Sequence, residues 1–99
     1  MSKVIVQFGF KFIDKERLYG IPVLDCRVLK NPFSKFLSDE AQKQIVRDNP
    51  HFKEVVDAGM QLLAKHDKIF VGCLYGKHRS GAVAEELARL TGASIKRNW

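Results

Sequence analysis

The densest chemistry in the chain lies in Gly72–Ser80, GCLYGKHRS, where Cys73, Lys77, His78, Arg79 and Ser80 share one short loop. Lys77, His78 and Arg79 are potential cations and Ser80 adds a hydroxyl donor, a set suited to a phosphate or a carboxylate. A planar guanidinium matches such an oxyanion two bonds at a time. The spacing C-x-x-G-x-x-R-S, with Gly76 midway between Cys73 and Arg79, serves two kinds of site. In cysteine-dependent phosphatases a thiolate attacks phosphorus while the arginine holds the oxygens. In the other kind the loop only binds. The catalytic alternative uses Cys73 and Arg79, with Asp25 or Asp14 as the acid. Gly72 stands where phosphatases place a histidine, and no separate acid loop stands out. Cys73 is therefore read as a small buried hydrophobe that shapes the loop.

Such a loop needs a strand before it and a helix after it. Ile69, Phe70 and Val71 form a short apolar run that predicts a buried strand. From about Ser80 the pattern turns helical, with Val83, Leu87 and Leu90 on one face and Gly92 as the C-terminal cap. The first N–H groups of that helix lack intrahelical acceptors and carry the positive end of its dipole, which favours an anion.

The rest of the chain supplies a frame. Val4–Phe8 is β-branched and aromatic and predicts a first strand closed by Gly9. Gly9 to Pro22 reads as a surface loop. Val23–Leu29 predicts a second strand with Leu24, Cys26 and Val28 on one side and Asp25 and Arg27 on the other, stopped by Asn31-Pro32. A first helix is expected from Ser38 or Asp39 to about Arg47, with Leu37, Ala41 and Ile45 in register. A second runs from about Pro50, capped by Asn49, to His66, with Phe52, Val55, Val56, Met60 and Leu63 facing a core. Glu85 and Arg89 are spaced to pair across one helical turn. The residues from Ala93 to Trp99 predict a final strand. Together these predict a single small α/β domain over residues 1–99, a mostly parallel sheet of about four strands flanked by helices, with the anion loop at a strand-to-helix junction. Asn31, at the carboxyl end of a strand, is placed to face that loop.

Composition narrows the function classes. The chain has 99 residues with 17 Lys and Arg against 11 Asp and Glu, a formal net charge of +6 that favours acidic partners. No apolar run approaches the roughly 20 residues of a membrane span. Two cysteines, no C-x-x-C and no secretory leader pattern lead us to expect a reduced, cytoplasmic setting, no metal and no cofactor. His51 and His66 read as surface residues.

Three ordered segments carry a family likeness: FGFK at Phe8–Lys11, LDCRVLKNP at Leu24–Pro32, and GCLYGKHRS followed by Ala84-Glu85-Glu86-Leu87-Ala88. In these the chain resembles the C-terminal domain of the RNase adapter protein RapZ family. The resemblance implies binding of glucosamine-6-phosphate or a related anion at the G-x-H-R-S loop, with Tyr75, Gly76, Lys77, His78, Arg79 and Ser80 as contacts. Lys11, Arg27 and Asn31, near strand ends in the matching segments, would form the opposite wall. It also implies binding of a structured small RNA that is presented to an RNase partner. Lys96 and Arg97, with Trp99 for stacking, are the candidate RNA contacts. The N-terminal P-loop module of full-length relatives has no counterpart in this sequence. The preferred function is thus a binding module for a phosphorylated small molecule or for phosphate or sulfate, with RNA as a further partner. The alternatives are a small cysteine phosphatase and an assembly subunit, homo-oligomeric or otherwise, with a vestigial pocket.

Overall fold

The computed structural model describes residues 2–30 and 36–98. Strand β1 (Val4–Gly9) is the β-branched and aromatic run expected there, and β3 (Lys68–Cys73) lies beside it in parallel, with Val4 opposite Lys68 and Gly9 opposite Cys73. The outer strands are β2 (Val23–Asp25), which joins β3, and β4 (Ser94–Asn98), which joins β1. All four strands are parallel, in the order β2-β3-β1-β4. Between them come α1 (Asp39–Arg47), α2 (Phe52–Lys65) and α3 (Arg79–Thr91). The expected small α/β domain is the one observed.

Alternation along the strands sorts their side chains. Ile5, Ile69, Val71 and Leu24 pack with Val46 of α1, Val55, Val56 and Leu63 of α2, and Val83 and Leu87 of α3 in one core. On the other side of β1, the buried Phe8 ring sits against Phe10 and Phe70, at centroid distances of 4.8 and 5.9 Å. It also occupies the space over Gly72, where a Cβ would meet the ring at 2.4 Å.

Several local expectations need correction. The second strand stops at Asp25, because the Asp25 carboxylate accepts the Arg27 backbone N–H and curls Cys26–Val28 into a 3-10 turn. Val28 is thereby turned out, 71% exposed, and Leu29 turns in. The loop before β2 holds two further 3-10 turns, Phe10–Phe12 and Lys15–Leu18. Ser38 caps α1 through the Ala41 N–H as expected, yet the helix buries Gln42 and Val46, while Leu37 and Ile45 stay largely exposed. Asn49 makes a turn ahead of α2, its side chain accepting the His51 N–H, so the helix begins at Phe52. Leu90 lies off the buried face of α3. Glu85 does not pair with Arg89. It faces α1, where Lys43 and Arg47 reach it at 2.9 and 3.4 Å, and Arg89 turns to Glu86. Gly92 caps α3 in the left-handed conformation, as expected.

Candidate functional site

The loop from β3 to α3 lies across the end of β1, and two glycines make that possible. Gly76 has φ +77°, and a Cβ on it would lie 2.6 Å from the Gly9 nitrogen. A Cβ on Gly9 would lie 2.6 Å from the Tyr75 carbonyl carbon. The loop is also bonded down on both flanks. The Lys11 N–H donates to the Leu74 carbonyl at 2.9 Å, and the Gln7 Nε2 donates to the Gly76 carbonyl at 2.7 Å and the Lys77 carbonyl at 3.4 Å. The strand order sends the connection leaving β1 past β3 to β2, and the connection leaving β3 past β1 to β4. The two connections thus cross over each other, and the loop from β3 to α3 lies at the carboxyl ends of the strands, where open parallel sheets hold ligands.

Helix α3 starts at Arg79, with His78 at the N-cap making no side-chain capping bond. Its first internal bonds are donated by Gly81 and Ala82, to the Lys77 and His78 carbonyls. The first turn thus keeps the polarity that attracts an anion.

The candidate residues divide between the two sides of this loop. Toward β2, Arg79 is 8% exposed, its Nη1 donating to the carbonyls of Leu29 and Arg27 at 3.3 and 3.4 Å. The Arg27 guanidinium forks onto Asp25, with Nη2 to Oδ2 at 2.7 Å, and stacks 3.9 Å above the Phe10 ring. Burial works against the charge on Asp25. The side-chain and backbone bonds from Arg27, together with the nearby Arg27 and Arg79 charges, outweigh it and hold the carboxyl below its ordinary value of 3.8. The Lys11 ammonium lies 4.9 Å over the ring of Tyr75, which also neighbours Phe12.

Toward β4, Lys77 is exposed, and His78 donates from Nε2 to Asp39 at 2.9 Å. That hydrogen bond first, and then the charge on His78, lowers the Asp39 pKa. Arg97 joins this side, and Lys96 is exposed on the same strand. Asn31 and Trp99, both candidate contacts, lie outside the described residues.

Beneath the loop, the Cys73 thiol donates to Ser80 Oγ at 3.3 Å, and both residues are buried. Burial first, then Cys73 and Asp25, pushes the Cys26 thiol far above its usual range. Among the described residues, no group of three or more His, Cys, Asp and Glu side chains is placed to hold a metal. No helix among them is long and apolar enough to cross a membrane.

Sequence reasoning missed Gln7, Asp39 and Lys43, which line a cleft of about 350 Å³ with Lys77, His78 and Arg97. Gln7 carried a signal, being an amide inside the otherwise apolar VIVQF. Buried polar residues in strands are the informative exceptions. Asp39 and Lys43 carried none, since only the docking of α1 on α3 brings them there.

No protein-family model matches the chain. It is similar to a nucleotide-binding protein of Saccharopolyspora erythraea, 31% identical over an alignment 107 positions long that covers 86% of this chain and 34% of the relative. It is also similar to a nucleotide-binding protein of Rubrobacter xylanophilus, 35% identical over an alignment 109 positions long that covers 90% of this chain and 34% of the relative. The chain spans about a third of the length of these curated relatives.

Proposed function

We propose that this chain is a binding module for a phosphorylated small molecule. Gly76, Lys77, His78, Arg79 and Ser80 form the cradle, Tyr75, Lys11 and Arg27 flank it, and Asn31 remains the further contact expected from the sequence. The observation that carries this reading is the uncapped start of α3, laid across the carboxyl end of the central strand with Lys77 and Arg79 on its two flanks. A helix N-terminus in that position offers both polarity and free donors to an oxyanion. The shared name of the two relatives points to a nucleotide or phosphate-type ligand. The likeness to the RapZ C-terminal domain narrows the ligand toward glucosamine-6-phosphate. It adds RNA, whose backbone would follow the exposed Lys96 and Arg97, and with it an RNase partner. The burial of Cys73 and its bond to Ser80 favour a packing role for that thiol over attack on phosphorus.

A phosphorus NMR titration with glucosamine-6-phosphate tests the proposal on the wild type, Arg79→Ala and Lys77→Ala, with circular dichroism to confirm that each variant is folded. The expected result is a saturable shift without release of inorganic phosphate, weakened about tenfold or more in either folded variant, the worth of one charge-assisted bond. A hairpin RNA added at low salt should compete in the same titration and lose its effect as salt rises. Phosphate release that requires Cys73 would make the chain a phosphatase. An unmoved spectrum at millimolar ligand would overturn the binding module.

A further inference from the structure

Cys26 and Cys73 are both free, 0% and 3% exposed, and the proposed function asks no chemistry of either thiol. The sheet register sets them side by side. Strands β2 and β3 pair in parallel, Val23 with Phe70, Leu24 with Val71 and Asp25 with Gly72, and Cys26 and Cys73 are the next step on each. Side chains alternate along a strand, so the two cysteines share a face with Leu24 and Val71, and all four lie in one core. Of the charges that bear on the Cys26 thiol, that of Cys73 acts most strongly. Neighbouring strands run about 4.7–4.9 Å apart, and a disulfide joins residues whose Cα atoms are about 4.4–6.8 Å apart, so one bond can span this step.

The pair is buried, but under a lightly secured end of the sheet. Strand β2 is an edge strand of three residues. The turn that follows it is closed by the Leu29 N–H on the Cys26 carbonyl at 3.1 Å and by exposed bonds between Arg27 and Asp25. Local opening of such an edge costs less than unfolding the domain, and it admits a small oxidant. The same turn offers the Arg27 and Leu29 carbonyls to Arg79, and the Cys73 thiol donates to Ser80 Oγ at 3.3 Å. A bond between the two sulfurs would therefore join the two segments that hold the start of α3.

We infer that Cys26 and Cys73 form a dithiol that a hydroperoxide oxidises to an intramolecular disulfide. One sulfur takes an oxygen from hydrogen peroxide to become a sulfenic acid and releases a water. The other sulfur displaces that oxygen as a second water, so two thiols and one peroxide give one disulfide and two waters. A thiol reductant reverses the reaction by exchange. The bridge takes away the proton that Cys73 gives to Ser80 and closes residues 26–73 into a covalent loop. This site goes beyond the proposed function and stands or falls without it.

The test treats the folded chain with millimolar hydrogen peroxide, alkylates the remaining thiols in denaturant, and measures the masses of the protein and its peptides without reduction. The expected product is a monomer about 2 Da lighter that takes up no alkylating reagent and yields a linked Cys26–Cys73 peptide, all reversed by dithiothreitol. Closing so long a loop should raise the urea midpoint by about 1–3 M over the reduced chain. The backbone proton–nitrogen signals of Arg79 and Ser80 should shift on oxidation and return on reduction. In Cys26→Ala the same treatment should leave Cys73 unbridged and bring no rise in the midpoint. A folded chain that keeps two alkylatable thiols, or that gains sulfinic acid in place of the bridge, would overturn the inference. So would a bridge that forms only in urea, or one that lowers the midpoint, since either shows that the register does not bring the sulfurs within bonding range.

Discussion

Replacing Gly76 by alanine separates two reasons for its being glycine. At φ +77° an alanine pays left-handed strain of about 1–2 kcal/mol. Its Cβ would also lie 2.6 Å from the Gly9 nitrogen and 2.7 Å from the Phe8 carbonyl carbon, backbone atoms held by the central sheet. Such overpacking adds about 1–3 kcal/mol, so Gly76→Ala should lose about 2–5 kcal/mol. Gly92 is the matched control, with φ +76° and nothing within 4 Å of the added Cβ, so Gly92→Ala should lose only the strain. Urea unfolding followed by circular dichroism reads both. With a slope of about 1.5 kcal/mol per molar, the midpoint should fall by about 1–3 M in Gly76→Ala and by about 1 M in Gly92→Ala. Against a total stability of about 5–15 kcal/mol, the first is close to the limit of what the fold can lose. Equal losses in the two variants would refute the view that the loop is pressed onto the end of β1.

Two further outcomes follow from the buried thiols and from the acid side. Cys26 and Cys73 are both free and buried, so a chromogenic disulfide reagent should label them slowly in native protein and rapidly in denaturant. Labelling of Cys73 within seconds in the native state would restore it as a candidate nucleophile. Asp25 has a folded pKa below its ordinary value of 3.8. Its contribution to stability is then present above that value and is lost as pH falls through the lower, folded one. The urea midpoint should therefore drop on acidification below pH 4 or so, less steeply in Asp25→Asn, and an unaltered slope in that variant would assign the acid loss elsewhere.

Local chemistry made much of this fold legible. The β-branched run at Val4–Phe8, the Ser38 cap and the left-handed Gly92 each act within a few residues, and each stands where the sequence places it. What escaped depended on distant partners or on a side chain competing with the ladder. The Asp25 carboxylate takes the Arg27 N–H and ends β2 early, and the face of α1 is chosen by Glu85 of α3 drawing in Lys43 and Arg47. The same division runs through the candidate site. Tyr75 to Ser80 are contiguous and could be read as a loop, whereas Gln7, Lys43 and Arg97 meet Lys77 only once β1, α1 and β4 have assembled.

The place of β1 in the sheet also has a kinetic meaning. Val4 pairs with both Lys68 and Ser94, so of the four strands of this sheet an inner one is made first and its partners last. During synthesis VIVQF waits, apolar and unpaired, until Lys68–Cys73 and Ser94–Asn98 have followed it. Pairings this distant in sequence close slowly, and an unpaired strand of this composition invites association with other chains in the interval. The Gln7 amide, whose Oε1 is buried with no partner among the described residues, puts a polar interruption in that run, so the residue that costs stability in the finished sheet also makes the waiting strand less adhesive.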